Sequence, residues 1–284
     1  MRCKNVIVCT SNQTEWYKII FYTNLHLILS PMQLYGLLGY PLGHSFSASY
    51  FAEKFSREQI DAQYVNFESP TVEEAMTYLR QQTELIGFNV TIPHKQAVLP
   101  YLKGCSAEAE AIGAVNVVRV VPDAVTGTPL LYGDNSDWIG FTESLRPLLR
   151  PEVHRKALVL GTGGASKAVV YGLRRLGIEP HYVSRRPQAG MLTYEALTPS
   201  ILKDYLLIVN CTPSGMYPHT ETCPNLPYEA LTPDHLLYDL VYNPLETLFM
   251  KKGKAAGATV KNGLEMLHLQ AEAAWNMWNA KEVK

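Results

Sequence analysis

A glycine-rich segment near the middle of the chain has the residue types of a dinucleotide-binding turn. Residues 159–166 read Val-Leu-Gly-Thr-Gly-Gly-Ala-Ser, which predicts a strand, a tight turn and the start of a helix. Such a turn brings backbone N–H groups and a helix N-terminus against a pyrophosphate. Ser166 occupies the third glycine position of the strict pattern, so the alternative is an ordinary tight turn.

Two arginines follow the next predicted strand. Arg185 and Arg186 come directly after Ser184, about 20 residues beyond the turn, where an NAD site would have a carboxylate. Guanidinium groups suit the extra 2′-phosphate of NADP, and Arg185 could also stack on the adenine. The alternative is a solvated pair beyond the end of a strand. Together the turn and the arginines predict an NADP site.

A second set of candidate residues surrounds Lys95. Asn89 and Thr91 alternate along a predicted strand, so both side chains face one side. Pro93 is expected to open a helix, which places Lys95 near the positive helix end, where a neutral amine is easier to reach. A lysine there can exchange a proton with a substrate hydroxyl if a carboxylate orients it. The alternative is a surface lysine, the commonest fate of this residue type.

A carboxylate that could orient Lys95 is available at the start of another predicted helix, which ends near residue 149. Asp134 and Asp137 both lie there, and either could instead be only the N-cap of that helix.

Neutral polar residues occur at comparable positions. Ser45 and Ser47 lie at a helix start and could both face a small polar ligand, or one could be an N-cap. Asn116 begins a predicted strand. Gln270 lies at the rim of the apolar face of the last helix.

The elements that must position these residues form two series of alternating strands and helices. The predicted strands are 33–38, 64–67, 85–91, 116–121, 129–132, 157–160, 181–184, 206–210, 236–240 and 259–261. The predicted helices, besides the one at Pro93, are 47–55, 71–82, 137–149, 165–176, 246–256 and 264–279. This alternation predicts an α/β protein of two lobes with largely parallel sheets.

The amino-acid composition further narrows the class of protein. The chain has 284 residues, 47% of them hydrophobic, and a formal net charge of −1, without a basic stripe for nucleic acid. The five cysteines form no CxxC pair, which indicates reduced thiols and no structural zinc. The apolar stretch 18–30 is too short for a membrane span and lacks a signal-peptide cleavage site, so residues 1–31 are interpreted as an extension of unclear role.

Six segments occur together in one order, and through them the chain resembles the shikimate dehydrogenase family from Met32 to Ala280. They are 39–47 (Gly-Tyr-Pro-Leu-Gly-His-Ser-Phe-Ser), 89–95 (Asn-Val-Thr-Ile-Pro-His-Lys), 113–116 (Gly-Ala-Val-Asn), 135–137 (Asn-Ser-Asp), 161–165 (Gly-Thr-Gly-Gly-Ala) and 263–267 (Gly-Leu-Glu-Met-Leu) with Gln270. The resemblance implies NADPH-dependent reduction of 3-dehydroshikimate to shikimate in chorismate and aromatic amino-acid biosynthesis.

The resemblance also implies an architecture. It comprises a substrate-binding domain over 32–133, completed by 263–284, and a Rossmann-like NADP-binding domain over 134–262. The final helix is expected to return to the first lobe. The expected partner is a small-molecule substrate, with no nucleic acid and no membrane, for a cytoplasmic monomer or homodimer.

Residue roles follow from the same resemblance. Lys95 and Asp137 would form the catalytic pair. The substrate would contact Ser45, Ser47, Asn89, Thr91, Asn116, Tyr242 and Gln270. NADP would contact Gly161, Thr162, Gly163, Gly164, Ala165, Ser184, Arg185, Arg186, Leu240 and Gly263. No metal is expected.

Five positions depart from the commoner family pattern. Ser184 stands where asparagine is usual, Trp138 where glycine is frequent, and Arg186, Ser136 and Val117 where threonine is usual. The alternatives are a broader quinate/shikimate dehydrogenase, often using NAD, and a non-catalytic homologue that senses the metabolite.

Overall fold

The computed structural model describes residues 32–43 and 45–280, and these contain two six-stranded sheets with helices packed on them. The expectation for residues 1–31 and the part of the domain assignment that covers 281–284 lie outside the described residues, as does His44. The two sheets use separate stretches of the chain, the first ending at Asp134 and the second beginning at Lys156. The sequence-based prediction of an α/β fold with two sheets is confirmed.

The first sheet is mixed but mostly parallel. Its strands are β1 (Gln33–Gly39), β2 (Ala62–Glu68), β3 (Leu85–Val90), β4 (Gly104–Cys105), β5 (Val117–Val121) and β6 (Leu130–Asp134). In the order β2-β1-β3-β5-β6-β4, only β5 runs antiparallel to its neighbours. Three helices belong to the same stretch: α1 (Phe46–Glu58), α2 (Val72–Leu79) and α3 (Ala107–Ile112).

The second sheet is parallel throughout. Its strands are β7 (Lys156–Leu160), β8 (Glu179–Ser184), β9 (Leu192–Thr193), β10 (Leu207–Asn210), β11 (Leu236–Asp239) and β12 (Thr259–Lys261). The order β12-β11-β10-β7-β8-β9 reverses direction between β7 and β10. This is the strand order of a Rossmann fold, whose ligands bind at the carboxyl ends of the strands where the order reverses.

Five helices follow the first sheet: α4 (Asp137–Leu145), α5 (Gly164–Arg175), α6 (Pro199–Leu202), α7 (Leu248–Ala255) and α8 (Leu264–Trp278). The second sheet carries an apolar core on each face. In β7, Ala157 and Val159 belong to one core cluster and Leu158 and Leu160 to the other, all of them 0% exposed. Both faces are buried because successive side chains alternate and helices cover each side of a parallel sheet.

The last helix returns to the first sheet, as the resemblance implies. The indole Nε1 of Trp278 donates a hydrogen bond to the carbonyl oxygen of Val118 in β5, at 3.0 Å. Gly87 in β3 allows this approach, because a Cβ there would lie 2.3 Å from the Trp278 ring.

The helix predicted to open at Pro93 is wrong. Residues 92–98 form hydrogen-bonded turns, followed by a short 3-10 helix at Leu99–Tyr101. The cause is a tertiary contact: the carbonyl oxygen of Lys95 accepts from the backbone N–H of Val115 at 2.8 Å. This oxygen would accept from residue 99 in an α-helix. Lys95 therefore lies on a turn, and the helix-end argument for its amine does not apply.

Sequence analysis missed α3, although the sequence has a capping residue at its start and a terminating glycine at its end. Ser106 caps its start, since the side chain accepts from the N–H of Ala109. Gly113 ends it in the left-handed region, with φ of +67°. This pattern is typical of a short helix between a serine cap and a terminating glycine. The short elements β4, β9 and α6 were missed as well.

Candidate active site

A cleft of about 530 Å³ lies where residues following β1 and β3 face residues following β11 and the start of α8. Every residue predicted to be catalytic or to bind substrate lines it: Ser45, Ser47, Asn89, Thr91, Lys95, Asn116, Asp137, Tyr242 and Gln270. The structure thus brings together residues from opposite ends of the chain.

Lys95 and Asp137 form an ion pair in the cleft. Lys95 Nζ lies 2.5 Å from Asp137 Oδ2, and the two side chains are 14% and 8% exposed. Lys95 is therefore not a surface lysine. Both groups are held where a ligand in the cleft can reach them while most of the solvent is excluded.

The helix-cap alternative for the two aspartates is wrong. Ser136 occupies the N-cap position of α4, and Asp137 is the first helical residue, with its backbone N–H donating to Asn135 Oδ1 at 3.0 Å. Asp134 instead accepts from the hydroxyl of Ser106 at 2.8 Å and does not line the cleft.

Asn116 orients Asp137 through a hydrogen bond to the carboxylate oxygen that Lys95 does not contact. Its Nδ2 donates to Asp137 Oδ1 at 2.8 Å and lies 3.3 Å from Gln270 Oε1. Its Oδ1 accepts from the backbone N–H of Ser136 at 2.7 Å, which determines which end of the amide is the donor. Both oxygens of the Asp137 carboxylate therefore have a hydrogen-bond donor, Lys95 at Oδ2 and Asn116 at Oδ1.

Gln270 reaches this network because α8 packs closely against α4. A Cβ on Gly140 of α4 would lie 2.5 Å from the carbonyl oxygen of Met266 and 2.9 Å from Gln270 Cβ. Only glycine allows the two helices to approach this far. Gly140 was not singled out from sequence, although glycine inside a predicted helix often indicates a close helix contact.

Ser45 and Ser47, at the start of α1, both line the cleft. Ser45 Oγ is also the N-cap of α1 and accepts from the N–H of Ala48 at 3.4 Å, so the capping alternative is confirmed for this serine. Tyr242 stands at the rim, 37% exposed, with its ring 6.2 Å from that of Phe46.

The glycine turn has the shape of a pyrophosphate cradle. Gly161 has φ of +99°, and a Cβ there would lie 2.9 Å from the side chain of Thr212. Gly163 caps α5, and no atom lies within 4 Å of the position of its missing Cβ. An incoming phosphate can therefore approach the first-turn N–H groups, which have no helical partners.

Ser166 explains why the third glycine position tolerates a side chain. Its hydroxyl donates to the carbonyl oxygen of Gly163 at 2.7 Å, and the residue is fully buried. The hydroxyl is thus hydrogen-bonded within the turn, and it does not block the approach of a ligand to Gly163.

The paired arginines stand free at the end of β8. Ser184 is buried, and its Oγ accepts from the backbone N–H of Arg186 at 3.2 Å. Arg185 and Arg186 are exposed, and within residues 32–43 and 45–280 neither forms an ion pair with a carboxylate. Two guanidinium groups without acidic partners, along the same sheet edge as an open glycine turn, fit the phosphates of NADP.

The predicted cofactor residues divide into two places. Ala165, Leu240 and Gly263 line the cleft, whereas Gly161–Gly164 and Ser184–Arg186 lie outside its lining, along the carboxyl edge of the second sheet. Gly263 is tightly packed, since a Cβ there would lie 2.2 Å from the carbonyl oxygen of Leu240.

Besides Leu240, further apolar residues complete the cleft, and the sequence analysis gave none of them a contact with substrate or cofactor. Met216 is the clearest, because it follows β10 at the carboxyl edge and is 45% exposed. The sequence does make its loop, 211–216, a candidate for ligand binding, because the loop directly follows a predicted strand; the alternative is an ordinary Pro/Gly loop.

Asp239 is a buried carboxyl group beneath the loop that carries Leu240 and Tyr242. It is 0% exposed and accepts from Asn210 Nδ2 at 2.9 Å, Thr247 Oγ1 at 2.6 Å and the N–H of Val241 at 3.0 Å. Burial outweighs these hydrogen bonds and raises the pKa of Asp239 to about 6. Asp239 does not line the cleft itself, but it directly precedes Leu240, which does.

In the described part of the chain, no three or more His, Cys, Asp or Glu side chains are placed to hold a metal ion. No helix within the same residues has the length and apolar character needed to cross a membrane.

Comparison with known proteins identifies relatives over nearly the full length. The family model for the shikimate dehydrogenase substrate-binding domain matches residues 37–118. The shikimate dehydrogenase (NADP(+)) of Caldanaerobacter subterraneus subsp. tengcongensis is 34% identical, over 89% of this chain and 93% of that protein. The one from Crocosphaera subtropica is 35% identical, with the same coverage of 89% and 93%.

Solved structures agree with these relatives. The shikimate dehydrogenase of Aquifex aeolicus superimposes with a TM-score of 0.76 at 32% identity, covering 90% of this chain and 95% of that one. The Thermus thermophilus shikimate 5-dehydrogenase, solved in complex with NADP(H) and shikimate, gives a TM-score of 0.74 at 32% identity, covering 89% and 95%. From its sequence identity and coverage, this chain belongs to the shikimate dehydrogenase family.

Proposed function

We propose that the protein catalyses the reversible, NADPH-dependent reduction of 3-dehydroshikimate to shikimate in chorismate and aromatic amino-acid biosynthesis. The observation that carries the proposal is the Lys95–Asp137 ion pair at the wall of a cleft lined by hydroxyl and amide side chains. Such groups suit a polyhydroxylated carboxylate, because a site built for hydroxyls rejects analogues that lack them.

Lys95 and Asp137 form the catalytic pair in this proposal. Negative charge develops on the substrate oxygen as the ketone becomes an alcohol, and the Lys95 ammonium group donates a proton to that oxygen. Asp137 holds the amine through Oδ2 and is itself held by Asn116 through Oδ1. In the reverse direction the same amine accepts the proton from the shikimate hydroxyl.

The remaining cleft residues hold the substrate in this proposal. Ser45, Ser47, Asn89, Thr91, Asn116, Tyr242 and Gln270 supply its hydrogen bonds. Their placement around the ion pair supports this role.

NADP binds along the second sheet. Gly161, Thr162, Gly163, Gly164 and Ala165 would receive the pyrophosphate, and Ser184, Arg185 and Arg186 would hold the 2′-phosphate. Leu240 and Gly263 border the cleft, where they would contact the cofactor. When bound, NADPH supplies the hydride.

We assign residues 32–133, completed by 263–284, to a substrate-binding domain and residues 134–262 to an NADP-binding domain. The separate strand sets of the two sheets support a division into two domains, and β6 of the first sheet ends at Asp134, one residue past the proposed limit. We further propose a cytoplasmic monomer or homodimer, a location that the free thiols of Cys105, Cys211 and Cys223 support.

The test follows NADPH absorbance with shikimate and either NADP or NAD, and with quinate in place of shikimate. NADP reduction that requires shikimate is the expected result. Preference for quinate or NAD would favour the broader quinate/shikimate dehydrogenase. Shikimate binding by calorimetry without turnover would instead indicate a metabolite sensor and overturn the proposal.

A further inference from the structure

We propose that Tyr64, a buried residue of β2, is a positioning residue that presets Asn89 as a hydrogen-bond donor to the substrate. The inference rests on the function proposed above, since it concerns the same cleft. It assigns Tyr64 no contact with substrate or cofactor.

Tyr64 lies behind the wall of the cleft. It is 8% exposed and is not one of the residues that line the cleft. Its ring stacks on Phe51 of α1, with centroids 4.7 Å apart and an interplanar angle of 14°. Packing thus fixes the direction in which the hydroxyl points.

That hydroxyl contacts Asn89. It donates to Asn89 Oδ1 at 2.9 Å, and Asn89 Nδ2 in turn donates to the carbonyl oxygen of Asn116 at 3.1 Å. A carboxamide carries two N–H bonds, so one remains after the bond to Asn116. Because Asn89 lines the cleft, the remaining N–H is available to a substrate oxygen.

The carbonyl oxygen of Asn116 can only accept, so it sets which end of the Asn89 amide is the donor. The Tyr64 hydroxyl holds the other end of that amide. Without this hydroxyl, one hydrogen bond alone would hold Asn89, and the side chain could turn away from the substrate. Burial raises the pKa of Tyr64, so the hydroxyl keeps its proton and remains a donor at ordinary pH.

The catalytic pair does not depend on this hydroxyl. Since Asp137 is held separately by Lys95 and Asn116, loss of the Tyr64 hydroxyl should weaken substrate binding more than proton transfer.

The experiment is Tyr64→Phe, which removes the hydroxyl and keeps the ring. We expect the KM and the directly titrated Kd for shikimate to rise about tenfold, the typical effect of losing one buried hydrogen bond. The kcat should change by less than about threefold, and the KM for NADP should not change.

Tyr35→Phe is the matched control. Tyr35 is the register partner of Tyr64 on β1 and belongs to the same apolar cluster, but its hydroxyl donates to Gln33 Oε1 at 3.2 Å, away from the cleft. Its removal should leave KM unchanged. Equal KM values for the two phenylalanine variants would overturn the inference.

A double-mutant cycle tests the route through Asn89. If Tyr64 acts through this amide, Tyr64→Phe should add little once Asn89→Ala is present. Fully additive effects would contradict the inference. A wild-type protein without shikimate-dependent turnover would count against the proposed function, whereas an active wild type with an unaffected Tyr64→Phe variant would sink only this inference.

Discussion

Gln270 Oε1 lies 3.3 Å from Asn116 Nδ2, although 154 residues separate the two in the chain. The contact joins the last helix to the start of β5 directly beside the Lys95–Asp137 pair. Its geometry depends on how closely α8 packs against α4, and therefore on Gly140.

Gly140→Ala should damage the site without altering any polar group. The added methyl collides with the backbone of Met266 and with Gln270, so α8 must move away. We expect a loss of about 1–3 kcal/mol in the free energy of unfolding. We also expect kcat/KM for shikimate to fall roughly 10- to 100-fold. Urea denaturation and steady-state kinetics measure the two effects.

Gly172→Ala is a suitable control for that variant. A Cβ on Gly172 of α5 would lie 2.8 Å from Thr142 of α4, so the substitution also crowds a helix contact, but away from the cleft. It should reduce stability while sparing kcat/KM. Equal losses of kcat/KM in both variants would show that α8 spacing is not the cause.

Lys95→Ala should lower kcat by about 10²–10⁴-fold, the usual contribution of a positioned acid–base group, with a much smaller change in substrate binding. Lys103→Ala is the control, because Lys103 is an exposed lysine in the same part of the chain. Single-turnover kinetics and shikimate titration separate the two quantities. An unchanged kcat in Lys95→Ala would remove this residue from the mechanism.

The double variant Arg185→Ala with Arg186→Ala should raise the KM for NADP about 10- to 100-fold, because two charged hydrogen-bond donors to the 2′-phosphate are lost. The KM for NAD, which lacks that phosphate, should stay nearly constant. Kinetics with both cofactors measure this ratio. A similar rise for NAD would place the arginines elsewhere on the nucleotide.

Asp239 should make stability fall as the pH rises from about 4 to about 6. The native pKa is raised to about 6, above the value of about 3.9 in an unfolded chain, so the native state holds more protons in this window. The contribution is complete below about pH 4 and is lost as the pH passes about 6. Its upper limit is about 3 kcal/mol, from a shift of about two units.

Asp239→Asn removes this titration and can keep the hydrogen bonds from Asn210 and Val241. The difference in urea midpoint between the variant and wild type should therefore grow in favour of the variant as the pH rises to about 6. The variant must be compared with the wild type at each pH, because two histidines also make stability depend on pH. Burial lowers the pKa of His154 and His235, which favours the native state at higher pH in both proteins. A constant difference across this range would contradict the prediction.

The parts of the site that follow strands could be predicted from sequence. Asn89 lies near the end of β3, Thr91 directly follows that strand, and the glycine turn directly follows β7, so local patterns alone placed them at sheet edges. The carboxyl ends of parallel strands share one edge, which explains why these residues gather.

The rest depends on contacts that local sequence does not encode. The apolar stripe of α8 predicts a buried face, but its position on the first sheet came only from the family resemblance. The turn at Lys95 depends on the N–H of Val115, a partner from a later segment of the chain. Likewise, the sequence predicts the strand that carries Tyr64 without indicating which group its hydroxyl contacts.

The return of α8 to the first sheet also has a consequence for how the protein is made. Trp278 packs on Tyr35, with ring centroids 5.0 Å apart, so the last described helix covers part of the earliest described strand. The nascent chain must therefore be synthesised through Trp278 before this part of the apolar face is shielded. Termination ahead of α8 would leave that part of the sheet exposed and remove Gln270 from the cleft, which makes the product a target for chaperones and proteases.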